Sequence, residues 1–182
     1  EYIAEYYNTM SALSYIIVGL LFSRTRLKNL SKIIILLGLG TALLHGTLRF
    51  YGQWLDEVSM LILSFYIIKE VRLIRLNKTT NDLYLFPLIF NYFIFSHYFC
   101  YFFIVFVSLQ LYTYKIAQKD YINCDNHEYF LIKAYSIILA FSSICWLLDQ
   151  FFCEYVGEYQ LHAVWHAGTA LSLLLGLCAI II

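Results

Sequence analysis

The segment QLHAVWHAGTALSLLLGLCAIII, residues 160–182, decides the fold class of this chain. It contains no Asp, Glu, Lys or Arg, and about 20 apolar residues in a helix are enough to cross a membrane. Similar apolar runs recur along the whole chain, which is 62% hydrophobic and only 13% charged. Soluble domains have about 25% charged residues. The composition therefore excludes an ordinary soluble domain and predicts an all-α, polytopic membrane protein.

The apolar runs predict seven transmembrane helices that form a single domain over residues 1–182. We expect spans at residues 3–22, 33–48, 55–74, 129–152 and 160–182, and two short spans within the aromatic block 83–114. As one helix, this block of 32 residues would be about 48 Å long, whereas the hydrocarbon core is about 30 Å thick. We therefore predict a helical hairpin that turns near Ser96 and His97.

The charge distribution predicts the orientation of the chain. Net charge is zero, which gives no reason to expect nucleic acid as a partner, and no segment indicates a protein partner. Eleven of the 12 basic residues fall on one side of the predicted topology: Arg24, Arg26, Lys28, Lys32, Lys69, Arg72, Arg75, Lys78, Lys115, Lys119 and Lys133. Only Arg49 falls on the other side. Basic loops face the cytoplasm, so we expect an N-terminus that is outside or luminal and a cytoplasmic C-terminus.

Three histidines on the non-cytoplasmic half form a candidate metal site. His162 and His166 are four residues apart, which places both imidazoles on one helix face. His45 lies at the same expected depth on another helix. Ionisable side chains are costly inside membranes and are functional candidates there. Three histidines with an open fourth position are typical of catalytic zinc, although histidines that only hydrogen-bond across helices are the alternative.

Two further residues complete a possible hydrolytic site. Asp56 follows His45 by 11 residues across a short connection, so its carboxylate is a candidate general base for a water activated by the metal. Thr41 precedes His45 by one helical turn. Its hydroxyl could donate to a developing oxyanion, or it could bond to a carbonyl of its own helix.

Three more residues near this site have supporting or structural roles in our interpretation. Asp149 is either an acceptor for an imidazole N–H or a cap for the sixth span. Glu57, next to Asp56, is interpreted as a supporting or structural residue. Trp165 could line a lipid pocket, but we favour an ordinary tryptophan at the membrane interface.

Five segments of the chain resemble the alkaline ceramidases, which are seven-helix intramembrane hydrolases related to the adiponectin receptors. The segments are IAEYYNTMS (residues 3–11), GLGTALLHGTL (38–48), QWLDEVSM (53–60), WLLDQFFCE (146–154) and HAVWH (162–166). They occur in order along one seven-helix arrangement, which makes the combination more specific than any single motif.

The resemblance implies that the protein binds ceramide within the bilayer and hydrolyses it to sphingosine and a free fatty acid. It implies Zn²⁺ bound by His45, His162 and His166, with Asp56 as the catalytic carboxylate. Thr41 stands where the family usually has serine. A receptor with a structural zinc site, or a hydrolase of another lipid amide or ester, are the alternatives.

The resemblance also implies features near the N-terminus and a location. The family carries a Ca²⁺ site, to which Glu5 would contribute, together with an acidic loop that we expect to be missing upstream of this chain. Cys153 matches a cysteine that pairs with one in that loop in relatives. The expected location is the membrane of the endoplasmic reticulum or Golgi.

Overall fold

A computed structural model describes residues 3–118 and 125–181, and every regular element in these ranges is helical. The helices are α1 (Tyr6–Ser11), α2 (Leu13–Phe22), α3 (Lys28–Thr47), α4 (Phe50–Leu76), α5 (Leu85–Phe95), α6 (Phe99–Ala117), α7 (Asn126–Val156) and α8 (Leu161–Ile181). Short 3-10 turns occupy Asp82–Tyr84 and Gly157–Tyr159. Lys119, one of the basic residues used to predict the orientation, lies outside the described residues.

Four helical segments of the described chain are long and apolar enough to cross a membrane. They are Lys28–Thr47, Cys100–Ala117, Asn126–Tyr159 and Leu161–Ile181. Two shorter apolar segments, Tyr6–Phe22 and Asp82–Phe95, accompany them. The all-helical class is therefore confirmed, with four candidate membrane-spanning helices, while the count of seven spans stays a prediction.

The aromatic block forms the predicted helical hairpin. α5 ends at Phe95 and α6 begins at Phe99, so the break falls at Ser96 and His97 as expected. Tyr92 of α5 is fully buried, and its ring lies 6.5 Å from that of Phe102 on α6. Aromatic packing between the two helices therefore helps to hold the hairpin closed.

Helix α7 is longer than the sequence predicts. The predicted spans 129–152 and 160–182 leave the polar residues 153–159 as a connection, but the helix continues to Val156 past a kink at Phe152, where φ is −130° and ψ is 24°. No Pro or Gly occurs between Phe152 and Gly157, so nothing in this stretch removes a backbone donor or favours a break. The chain leaves α7 only at Gly157 and reverses through Gln160, which has a φ of 51°.

Two glycines allow α3 and α4 to pack with their backbones in close approach. A Cβ atom on Gly40 would lie 2.9 Å from the backbone nitrogen of Asp56, and one on Gly52 would lie 2.7 Å from the Cα of Leu44. Any larger residue at these positions would push the helices apart. This close approach brings the residue after Gly40, Thr41, against Asp56.

We expect Gly40→Ala to destabilise the protein, because its new methyl group would meet the backbone of α4 rather than a flexible side chain. Overpacking of this kind costs about 1–3 kcal/mol, which should appear as a lower thermal unfolding midpoint in detergent. The matched control is Gly46→Ala on the same helix, where a Cβ would meet nothing closer than Thr9 Oγ1 at 3.8 Å. Equal unfolding midpoints for the two variants would contradict this interpretation.

Candidate metal centre

The three predicted histidines meet at one end of the helical bundle. His45 lies in the last turn of α3, and His162 and His166 lie in the first two turns of α8, so both helices present their imidazoles at this end, hereafter the site end. The ring centroids lie 4.8–4.9 Å apart. One ligand atom from each histidine lies within 4.8 Å of the others. The structure therefore brings all three histidines together, whereas sequence spacing places only His162 and His166 on one helix face.

Each imidazole has a partner at its Nδ1 atom. For His45 the partner is Glu5 Oε2 at 2.5 Å, and for His162 it is Asp149 Oδ2 at 3.3 Å. His166 Nδ1 lies 2.8 Å from Ser11 Oγ. Carboxylates accept hydrogen bonds, so the first two rings carry their proton on Nδ1.

The Ser11 hydroxyl also favours a protonated Nδ1 in His166. Its single proton is directed to the backbone carbonyl of Asn8, at 2.9 Å. Ser11 Oγ is therefore left to accept a hydrogen bond from His166 Nδ1–H. All three rings then have a protonated Nδ1 and a lone pair on Nε2, which is the tautomer that a metal ligand requires.

The residues present fit a zinc ion. His45 is 6% exposed, and its Nε2 atom is buried without a hydrogen-bond partner among the described residues. An unpaired buried nitrogen costs free energy that a bound metal would offset. Three neutral imidazoles that are oriented through their other nitrogen are a typical donor set for zinc, with a fourth position open to solvent or substrate.

Asp56 and Thr41 form a buried pair beside the histidines. Thr41 Oγ1 lies 2.5 Å from Asp56 Oδ1 and 2.9 Å from the carbonyl oxygen of Leu37. Both side chains are almost fully buried. The hydroxyl has one proton for these two acceptors, and the shorter distance favours donation to Asp56, which positions the carboxylate. The contact with its own helix, one of the two roles considered for Thr41, is present beside it. The oxyanion role stays a prediction.

Asp56 and the histidines line one cavity of about 270 Å³. The cavity has both polar and apolar lining residues. The polar ones include Asn8, Gln53 and Gln150, and the apolar ones include Met60, Phe102 and Trp146. Trp146 and Trp165 also line a groove of about 520 Å³ between α6 and α7, most of whose surface is apolar. A molecule with a polar head and hydrocarbon chains would match this division.

Comparison with known proteins identifies the family. A family model described as Ceramidase matches residues 1–182. The chain belongs to the ceramidase family. An alkaline ceramidase from Arabidopsis thaliana is 27% identical over an alignment of 188 positions, and the match covers 91% of this chain and 72% of the relative. Alkaline ceramidase 1 from Mus musculus is 28% identical over 193 aligned positions, covering 91% of this chain and 69% of the relative. The Homo sapiens protein of the same name is 25% identical over 200 aligned positions, covering 91% and 71%.

Trp165 of this ceramidase-family chain is a buried residue. It is only 4% exposed and stacks on Trp146, with ring centroids 5.2 Å apart, and the favoured interpretation of an interface tryptophan stays a prediction. Trp165 lies three residues after His162 on α8, and residues at this spacing share a helix face. The same face that presents the histidine therefore turns Trp165 toward the interior, where it lines the cavity.

Other predicted residues take the following places. Asp149 lies beside His162, with Oδ2 3.3 Å from Nδ1 of the imidazole. Glu57 lines the cavity and accepts a hydrogen bond from Gln53. Glu5 Oε2 accepts from both His45 and the Asn8 amide, at 2.5 and 3.0 Å, and its Ca²⁺ role stays a prediction. Cys153 is an exposed free cysteine in the structure.

Sequence reasoning missed two partners of the candidate metal ligands, namely Ser11 for His166 and Glu5 for His45. A signal for them exists, because Glu5, Asn8 and Ser11 recur every three residues and so fall near one face of a helix. That spacing indicates a polar face on an otherwise apolar helix. It does not indicate which histidine each residue contacts.

We expect Ser11→Ala to weaken zinc binding by roughly 10–100-fold, because loss of a partner at the second ring nitrogen typically has this effect. Ser11→Thr retains the hydroxyl and should bind zinc nearly as tightly as the parent. Ser23→Ala is the matched control, since Ser23 is exposed and its hydroxyl, within the described ranges, donates only to the carbonyl of Leu20. Competition with a chelator of known affinity measures the effect, and equal affinities for Ser11→Ala and Ser23→Ala would argue against it.

Proposed function

We propose that this chain is a zinc-dependent intramembrane amidase that hydrolyses ceramide to sphingosine and a free fatty acid. The observation that carries the proposal is the set of three imidazoles whose Nδ1 atoms are all engaged, beside the buried Asp56 in a shared cavity. Membership of the ceramidase family and relatives named alkaline ceramidases support ceramide as the substrate.

His45, His162 and His166 would hold the metal through Nε2. A zinc ion bound there would polarise the amide carbonyl and lower the pKa of a water molecule. Glu5, Asp149 and Ser11 keep the imidazoles in the required tautomer and orientation. Because these three partners come from α7 and from the first residues of the chain, the site depends on packing among several helices.

Asp56 is the proton carrier in this proposal. It accepts a proton from the attacking water as the new carbon–oxygen bond forms. It then returns that proton to the amide nitrogen, so that the carbon–nitrogen bond breaks and a neutral amine leaves. Thr41 holds the carboxylate in place from the neighbouring helix.

The cavity system supports a lipid as the substrate. A small chamber of about 50 Å³ lies next to the cavity that holds the histidines, and Tyr15, Met60 and Trp165 line both. Trp146 and Trp165 line both this cavity and the apolar groove between α6 and α7. Hydrocarbon chains that occupy these spaces would place an amide near Asp56 and the histidines.

The topology and location are part of the same proposal. We propose one domain of seven spans over residues 1–182, with the N-terminus luminal and the C-terminus cytoplasmic, in the endoplasmic reticulum or Golgi. The course of two helices supports the orientation. α3 runs from Lys28 to the site end, and α4 runs back to Arg75 in its last turn. The metal centre and these basic residues therefore lie at opposite ends of the bundle.

Incubation of the purified protein with a long-chain ceramide in detergent tests the proposed function. We expect release of fatty acid and sphingosine in equal amounts, because cleavage of the amide yields one of each. Hydrolysis of a lipid ester but not of ceramide would indicate a different substrate. Absence of hydrolysis by folded, zinc-loaded protein would favour a receptor with a structural metal site.

A further inference from the structure

Glu57 is a partly buried carboxylate that the proposed mechanism does not use. It directly follows Asp56 on α4, but successive helical residues are rotated by about 100°, so the two side chains diverge. Asp56 meets Thr41 of α3, whereas Glu57 has the buried Tyr92 of α5 as a neighbour. The Gln53 amide donates a hydrogen bond to Glu57 Oε1 at 2.9 Å. Glu57 is thus held in the cavity wall, on a different side from Asp56.

The cavity that holds the histidines has an acidic lining. Its carboxylates are Glu5, Asp56, Glu57 and Asp149, and none of the described residues that line it is Lys or Arg. The other three carboxylates contact imidazoles or Thr41. Glu57 differs, because its hydrogen bond comes from Gln53, which has no contact with the metal centre among the hydrogen bonds of the described chain.

Glu57 also lies on the side of the cavity where a lipid head would be. Along α4 the lining residues run from Gln53 nearest the site end, through Glu57, to Met60 deeper in the bundle. The deeper lining then becomes aromatic with Phe102 and Trp146. A lipid amide with its chains in the apolar part would therefore present its head to Gln53 and Glu57.

We infer that Glu57 is a specificity residue that accepts a hydrogen bond from the free primary hydroxyl in the head of the lipid amide. This inference rests on the proposed function. A carboxylate accepts such a bond readily and repels a phosphate in the same place. Gln53 donates to Oε1, and Oε2 is buried on the side of Tyr92. A carboxylate has about four lone-pair sites, so Glu57 keeps capacity to accept a hydrogen bond from the cavity that it lines. The site should therefore favour a head with a free hydroxyl over one that lacks it or carries a phosphate.

The test compares three substrates, namely ceramide, 1-deoxyceramide and ceramide 1-phosphate. We expect the parent to hydrolyse 1-deoxyceramide with a kcat/KM about 10–100-fold lower than that for ceramide, which is the usual effect of one hydrogen bond to a charged group. Glu57→Leu should lower kcat/KM for ceramide by a similar factor and change the value for 1-deoxyceramide by less than about threefold. Glu57→Gln should raise the rate on ceramide 1-phosphate relative to ceramide.

Matched substitutions at Glu154, an exposed residue of α7 outside the cavity lining, serve as controls. Glu154→Leu and Glu154→Gln should leave all three substrate ratios unchanged. An equal loss on ceramide and 1-deoxyceramide in Glu57→Leu would show a merely structural role and overturn the inference. If Glu57→Leu does not fold, Glu57→Gln alone tests the inference. An unchanged ratio of the rates on ceramide 1-phosphate and ceramide in this variant would then overturn the inference. Absence of hydrolysis by the parent would instead overturn the proposed function itself.

Discussion

Replacement of His166 by alanine is expected to remove bound zinc and to lower fatty-acid release from ceramide by about a thousandfold or more. The metal centre would keep only two of its three nitrogen donors, His45 and His162. Stabilisation of transition-state charge by a metal is worth several kcal/mol, and each 1.36 kcal/mol corresponds to about a tenfold change in rate. Zinc content per chain and the rate of fatty-acid release, measured on the same preparation, check the expectation.

His127→Ala is the matched control for this experiment. His127 is exposed in the first turn of α7, at the far end of that helix from Asp149. The control should keep both its zinc and its activity. A His166→Ala protein that retains one zinc per chain and the parental rate would show that the metal centre lies elsewhere.

Replacement of Asp56 by asparagine should give the second-largest effect, a loss of activity of about 10²–10⁴-fold, which is the usual contribution of a general acid–base group. Zinc content should stay at the parental level, because Asp56 is not one of the three residues that form the candidate metal cluster. The amide is similar in shape to the carboxylate, and Thr41 can still donate to its oxygen. Loss of rate at constant zinc content therefore isolates the proton transfer from metal binding.

Asp82→Asn is the corresponding control. Asp82 pairs with Lys69, and its side chain is 58% exposed. This substitution should change neither zinc content nor rate. An Asp56→Asn protein with the parental rate would exclude Asp56 as the proton carrier, and one that also loses its zinc would show a structural role at the metal centre.

The fold class can be predicted from the sequence, because a chain with so few charged residues requires an apolar environment. Too few charged residues are present to coat a soluble domain. Length requires the aromatic block to turn, and the structure places the break at the predicted position near Ser96 and His97. The end of α7 was harder to predict. Polar residues after Phe152 suggest a connection, but without Gly or Pro before Gly157 the helix continues.

The sequence could bring together the three candidate histidines, but most of their hydrogen-bond partners could not be predicted. His162 and His166 share a helix face through local spacing alone. In contrast, Glu5 is 40 residues from His45, and Ser11 is 155 residues from His166. Which pairs form depends on how α1 packs against α3 and α8, and the composition of an apolar helix does not specify that packing.

The most direct test of the central claim is removal and restoration of zinc in the purified protein, with ceramide hydrolysis followed throughout. We expect one zinc per chain in the active protein. Activity should fall in proportion to the zinc removed by a chelator and return when zinc is added back. Full ceramide hydrolysis by protein shown to contain no zinc would contradict the proposed role of His45, His162 and His166.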